Sequence, residues 1–154
     1  MGQRWRAVGA LTIALFAVNV VARLIIRFGF DGDEAAADRV TLGMFVVIGL
    51  ILAGTAVAWG QSRPPAQWGV EVAAAIGMAL ALTMLVGPLL VGQNPFGGGS
   101  ATFFWQILLY LVATSLGAIL GHLLLTTLGR DYRSRRLQRY AESGGVKPRR
   151  IVRR

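Results

Sequence analysis

Four apolar stretches, each long enough to cross a bilayer and joined by short connections, constrain this chain more than any other feature. They run over residues 7–26, 41–59, 70–91 and 103–128. At a rise of ~1.5 Å per residue each spans the ~30 Å hydrocarbon core, and the fourth has length to spare for tilt or projection. A soluble domain can bury one wholly apolar helix, but four leave it too little polar surface to face water. With 55% hydrophobic residues, 15% charged residues and a mean hydropathy of +0.57, this sequence has no such surface in reserve. The runs also lack the alternation of a membrane β-barrel. The expected fold is therefore all-α and polytopic, with a four-helix transmembrane domain over residues 1–128 and a basic tail over 129–154.

The first stretch reads as a retained helix. Arg4 and Arg6 resemble the n-region of a secretion signal, and Ala35-Ala36-Ala37 resembles a cleavage site. Asp31, Asp33 and Glu34 intervene, however, after an apolar core longer than a signal requires.

Charge then orients the helices. Arg4 and Arg6 precede the first, Arg63 lies in the second connection, and ten basic residues follow Gly129. Only Arg27 and Arg39 lie near the opposite face, beside Asp31, Asp33, Glu34 and Asp38. Positive residues concentrate on the cytoplasmic side of membrane proteins, so both termini are expected in the cytoplasm. Trp5, Trp59 and Trp68 would mark the inner interface, and Phe28, Phe30, Phe103, Phe104 and Trp105 the outer one. Arginine outnumbers lysine fifteen to one and alanine and glycine abound, a bias of GC-rich codons that points to a bacterial plasma membrane. The chain has no cysteine, so neither disulfides nor thiolate chemistry enter.

The polar residues inside the apolar stretches are the candidate functional groups. Asn19, Arg23 and Arg27 follow i, i+4, i+8 spacing along one face of the first helix. A charge facing lipid at the depth of Arg23 costs a few kcal/mol, reduced by snorkelling. The strip therefore either faces a partner helix, a cavity or an anion, or consists of an arginine snorkelling to headgroups and an asparagine bonded between helices. Asp31, Asp33, Glu34 and Glu71 are the possible charge partners. Glu71, in the first turn of the third stretch, suits a helix amino terminus and is a weaker candidate for a proton or cation site. On the fourth stretch, Gln106 stands at the outer end, able to meet Arg23 or Arg27 if the first and fourth helices pack together. His122, the only histidine, lies nearly two turns in from the inner end, suited to a structural hydrogen bond, a proton relay or an axial haem position. Those five residues, Asn19, Arg23, Arg27, Gln106 and His122, form the expected polar intramembrane strip.

Small residues supply the expected packing surfaces. Gly69, Ala73, Gly77 and Ala81 repeat every four residues, as do Ala75 and Ala79, and Ala113, Gly117 and Gly121 form a second ladder. Such ladders let helices approach closely in lipid, where van der Waals packing is the main force joining them. Gly87-Pro88 is expected to kink the third helix near its outer end, because proline lacks the amide that would bond to Met84. The glycine-rich connection over 92–100 lacks the lysine and hydroxyl of a phosphate-binding loop and reads as a plain connector.

Beyond Gly129 the chain carries ten basic and two acidic residues, and the leucine and tyrosine content of residues 132–140 suggests that the fourth helix continues past the membrane. Arg130, Arg133, Arg135, Arg136, Arg139, Arg149, Arg150, Arg153 and Arg154 would contact anionic lipid headgroups or an acidic protein partner. Nucleic acid is not expected, because stacking platforms and recognition motifs are absent.

Paired intramembrane carboxylates and metal-ligand clusters are missing, so the sequence implies no catalytic residues, no metal and no cofactor of its own. The leading expectation is a non-catalytic accessory or structural subunit of a membrane complex, or a homo-oligomer. Two alternatives accompany it. One is a small channel or transporter favouring anions, because a fixed positive charge raises the barrier for cations. The other is a membrane subunit that orients a quinone, lipid or haem within a larger enzyme.

Overall fold

The computed structural model describes residues 2–30, 33–90, 92, 94 and 99–144. Asp31, Lys147, Arg149, Arg150, Arg153 and Arg154, and most of the connection over 91–98, lie outside them. The chain is all helical in these parts: α1 (Gly2–Gly29), α2 (Glu34–Gly60), α3 (Pro65–Leu90), α4 (Gly99–Thr127) and α5 (Tyr132–Gly144). Four of these helices are long and apolar enough to cross a membrane, so the protein is a multi-pass helical membrane protein.

Each spanning helix begins before its apolar stretch, and the helix starts explain why. Asp33 caps α2: its backbone is extended (φ −97, ψ 96) and its side chain accepts from the Ala36 amide at 3.1 Å. Glu34 follows in the first turn, where a carboxylate complements the exposed amides. Asp38 and Arg39 are thus helical rather than part of a loop. Pro65 opens α3 at a position whose amide needs no partner, while the Pro64 carbonyl accepts from Gln67 and Trp68. Arg63 in that tight turn lies 4.8 Å from the centre of the Trp59 ring and forms an ion pair with Glu71. Glu71 therefore sits in the second turn of α3 and staples the α2–α3 turn; it is no partner for Arg23.

The fourth helix does not run on into the tail. Gly129 adopts φ +61, its amide bonds to the Thr126 carbonyl and the Arg130 amide to that of Leu125. This left-handed glycine cap ends α4 and turns the chain. Asp131 starts the next helix, with its carboxylate accepting from the Arg133 amide at 3.2 Å and from the Ser134 hydroxyl. The Ser134 hydrogen bond holds the Asp131 carboxyl below the usual carboxylate range. The expected helix over 132–140 is real, but it is separate.

The spanning helices are arranged as two close pairs, α2 on α4 and α1 on α3, joined through α1 and α2, whereas α3 and α4 touch sparingly. Their seams follow helical spacing: Val8, Leu11, Leu15 and Asn19 on α1; Ile48, Leu52, Ala56 and Gly60 on α2; Trp68, Val72, Ala75 and Ala79 on α3; Tyr110, Thr114, Gly117, Gly121 and Leu125 on α4. The α2–α4 seam brings backbone against backbone. A Cβ added at Gly117 would lie 2.7 Å from the Cα of Gly49, and one at Gly121 would lie 2.6 Å from the Cα of Ala53. Ala113 borders the same contact, its carbonyl 3.8 Å from a Cβ built on Gly49. On α3 it is Ala75 and Ala79, both 0% exposed, that bury against α1. Gly69, Ala73, Gly77 and Ala81 line the outer side of α3 instead, with Ala73, Gly77 and Ala81 exposed and nothing of this chain within 4 Å of a Cβ on Gly69 or Gly77.

Several threonine hydroxyls within the helices return to their own backbones, as Thr55 does to Ile51 (2.8 Å) and Thr114 to Tyr110 (2.8 Å), whereas the buried Thr83 hydroxyl has no partner among the described groups. Pro88 is accommodated inside α3, which stays helical to Leu90. Because four helices alternate in direction, the start of α1, the α2–α3 turn and α5 share one end of the bundle. Arg135 confirms the proximity by donating to Gln61 at 3.0 Å.

Candidate intramembrane binding cavity

At the end of the bundle away from the tail, all four spanning helices contribute to a cavity of about 210 Å³. Asn19, Arg23 and Ile26 of α1, Thr41, Met44 and Phe45 of α2, Met84 of α3, and Gln106, Leu109 and Tyr110 of α4 line it. At ~30 Å³ per molecule the space equals roughly seven waters, enough for a small anion or the polar end of a lipid. Further toward the tail the helices close on Leu15, Ile48, Leu52, Ala75 and Ala79, all 0% exposed. Within one chain the cavity is therefore a blind pocket, not a through path.

Asn19 organises its polar wall. It is 4% exposed, donates through Nδ2 to the Met44 sulfur at 3.2 Å, and accepts through Oδ1 from Arg23 Nε at 2.9 Å. The i, i+4 spacing makes the second bond possible, and α1 thereby aims its arginine along the strip toward the cavity. Across from it, α3 makes room: a Cβ on Gly87 would stand 3.1 Å from Arg23 Nε and 3.6 Å from Cζ. Gly87 thus provides clearance for a guanidinium beside the helix backbone. Arg23 is half-buried, pairs with no described carboxylate and is held in place by an amide.

Tyr110 adds a second donor. It is 1% exposed, and its hydroxyl has no hydrogen-bond partner among the described groups of the protein. Gln106, one turn earlier on the same face and exposed, brings an amide to the wall. Arg23, Gln106 and Tyr110 all offer donors, and no carboxylate among the described residues lines the space. Chemically the site suits a group rich in acceptor oxygens or carrying negative charge, and the apolar lining strengthens each such bond by excluding water.

Of the expected polar strip, then, Asn19, Arg23 and Gln106 meet in one place. Arg27 lies exposed at the outer edge, its guanidinium 5.8 Å from the centre of the Phe28 ring, and does not line the cavity. His122 is at the other end of the bundle, where its ring stands 5.5 Å from that of Trp68 at 51°. There His122 Nδ1 and Trp68 Nε1 are buried without described partners, Trp68 Nε1 lying 3.7 Å from a Cβ built on Gly60. Asp33 and Glu34 remain at the start of α2, the first as its cap. Tyr110, Thr41 and Gly87 were not anticipated as site residues. Tyr110 had a signal available, since it follows Gln106 by four residues, while Thr41 and Gly87 reach the site only through tertiary packing.

Because the Tyr110 hydroxyl gives up no protein hydrogen bond, Tyr110→Phe is expected to leave stability within about 0.5 kcal/mol or to raise it slightly. Unfolding in detergent, followed by circular dichroism, checks this. A loss of more than about 1 kcal/mol would mean that the hydroxyl serves the fold.

Among the described residues no group of three or more His, Cys, Asp or Glu side chains gathers at one point. No protein-family model, no curated protein and no solved structure matches this chain.

Proposed function

We propose that this multi-pass membrane protein is a binding subunit of a bacterial plasma membrane, with both termini cytoplasmic, that holds an anionic or acceptor-rich group within the bilayer. One observation carries the reading: an arginine without a carboxylate partner among the described residues, fixed by Asn19 and cleared by Gly87, shares a cavity with a tyrosine hydroxyl that has no described partner. An intramembrane arginine kept only for stability would be expected to end in an ion pair or to reach the headgroups. The orientation rests on the excess of arginine at the end that carries α5 and the α2–α3 turn. The blind shape of the pocket favours binding over conduction by a single chain.

Native mass spectrometry of the chain released from lipid nanodiscs tests this. The wild type is expected to carry a bound anionic molecule that Arg23→Leu lacks. Identical bound masses in the two would contradict the reading.

The exposed small-residue side of α3 supports an accompanying role as a component of a larger assembly. Gly69, Ala73, Gly77 and Ala81 offer the kind of surface on which helices pack closely, and this chain does not use it internally. Gly77→Leu meets nothing of its own chain, so unfolding is expected to be unchanged while the assembled mass falls. An unchanged assembled mass would exclude α3 as the contact.

A further inference from the structure

A second polar cavity of about 570 Å³ lies between the α2–α3 turn and α5, lined by Gln61, Ser62, Tyr132, Arg135, Arg136 and Arg139. Tyr132, Arg135, Arg136 and Arg139 follow the i, i+3, i+4, i+7 spacing of a single helix face, so one side of α5 presents three guanidinium groups toward the turn. The positions are set by contacts and do not depend on charge alone. Arg135 is anchored by the Gln61 side chain at 3.0 Å, and Arg136 is steadied by Tyr140, donating to its hydroxyl at 3.4 Å with the ring centre 5.6 Å away. The left-handed cap at Gly129 and the Asp131 cap fix where α5 begins and thus which face meets the turn.

No carboxylate among the described residues lines this groove. Asp131, the acidic residue nearest to it in sequence, is engaged by Ser134 and the Arg133 amide. Three arginines with a tyrosine, a serine and a glutamine are donors suited to a phosphate, which arginine binds through paired N–H groups. The groove also sits at the end of membrane-spanning helices, and α5 exposes Leu137 (69%) and Tyr140 (60%) beside it. Basic groups flanked by exposed apolar side chains on one short helix suit the boundary between headgroups and acyl chains.

We infer that the groove formed by Gln61, Ser62 and the Tyr132–Arg139 face of α5 is a specific site for the phosphate of an anionic phospholipid. The site is separate from the intramembrane cavity and shares no residue with it. A diffuse attraction between the tail and the membrane would draw equally on every arginine. A built groove draws on Arg135, Arg136 and Arg139.

The full chain is to be purified in nanodiscs of phosphatidylcholine and phosphatidylglycerol, and its retained lipids counted by native mass spectrometry. Phosphatidylglycerol is expected to be retained in preference, and Arg135→Gln with Arg139→Gln to lower the retained fraction roughly tenfold or more. Arg130→Gln with Arg133→Gln removes the same charge outside the groove and is expected to leave retention near the wild-type level. Equal loss in both double variants, or none in the groove variant, would overturn the site. Loss in Arg23→Leu alone would assign the lipid to the intramembrane cavity and likewise overturn it. Displacement by millimolar inorganic phosphate would assign the groove to soluble phosphate and end the lipid assignment.

Discussion

Arg23→Leu is expected to weaken retention of an anionic occupant by roughly 10- to 150-fold, the equivalent of the ~1.5–3 kcal/mol that a hydrogen bond to a charged group contributes. The fold should survive. Arg23 forms no described ion pair whose loss would strand a charge, and the substitution adds an apolar side chain to a helix already surrounded by lipid and apolar neighbours. Asn19 would lose the bond to its Oδ1 but keep Met44 as a partner. Gly87→Ala provides an independent approach to the same point: its Cβ would stand 3.1 Å from Arg23 Nε, so the guanidinium must shift by a few tenths of an ångström. A weaker effect in the same direction is expected from it. Equilibrium exchange of a labelled anion, measured alongside thermal unfolding, separates the outcomes. If Arg23→Leu unfolds the chain without first losing its occupant, the arginine is structural.

The largest expected effect on stability lies at the opposite pole of chemistry, in residues with no side chain. Gly117→Ala and Gly121→Ala would each push a Cβ against backbone atoms of α2, at 2.7 Å from Gly49 Cα and 2.6 Å from Ala53 Cα. Flexible side chains can yield to such a clash, whereas a helix backbone yields only by separating the pair. Overpacking of this kind costs about 1–3 kcal/mol or more, and in lipid the loss is not offset by any hydrophobic gain between helices. Gly43→Ala and Gly54→Ala lie on the same α2 helix with nothing within 4 Å of the added carbon. They are expected to be neutral or to stabilise by up to ~1 kcal/mol through helix propensity. Reversible unfolding in mixed micelles compares the two sets directly; similar behaviour would contradict the close α2–α4 contact.

Much of this architecture is legible in one dimension because bilayer thickness sets helix length. The four spans follow from apolar runs alone, and their overshoot reflects polar residues such as Asp33 and Glu34 that the helix can carry into the interface as cap and first turn. Which face of a spanning helix turns inward is harder to read. In water a buried face is marked by apolar residues against polar ones, but these helices are apolar all round, and α3 carries two small-residue ladders of equal spacing. Packing chose Ala75 and Ala79 for α1 and left Gly69, Ala73, Gly77 and Ala81 outward. For polar residues the signal is stronger. Asn19, Arg23 and Gln106 are costly to leave in lipid, so they converge. Arg27 has an easier route to the interface and stays at the edge. His122 lies along a helix from Gln106, sixteen residues on, which no shared face can bring to the same depth. Gly87 shows a further limit: next to proline it suggests a kink, and only the packed bundle shows it clearing the path of Arg23.

A cavity that is polar, reachable and selective for negative charge is open to a thiol test, because the chain has no native cysteine. Leu109 lines the cavity, whereas its neighbour Leu108 is 50% exposed on the outer surface of α4 at almost the same depth. The measurement is the rate at which anionic and cationic water-soluble thiosulfonates modify Leu109→Cys and Leu108→Cys in intact membranes. Modification is expected at Leu109→Cys and not at Leu108→Cys, with the anionic reagent faster and its advantage lost when Arg23→Leu is added. Equal inertness at both positions, or a faster cationic reagent at Leu109→Cys, would contradict such a cavity.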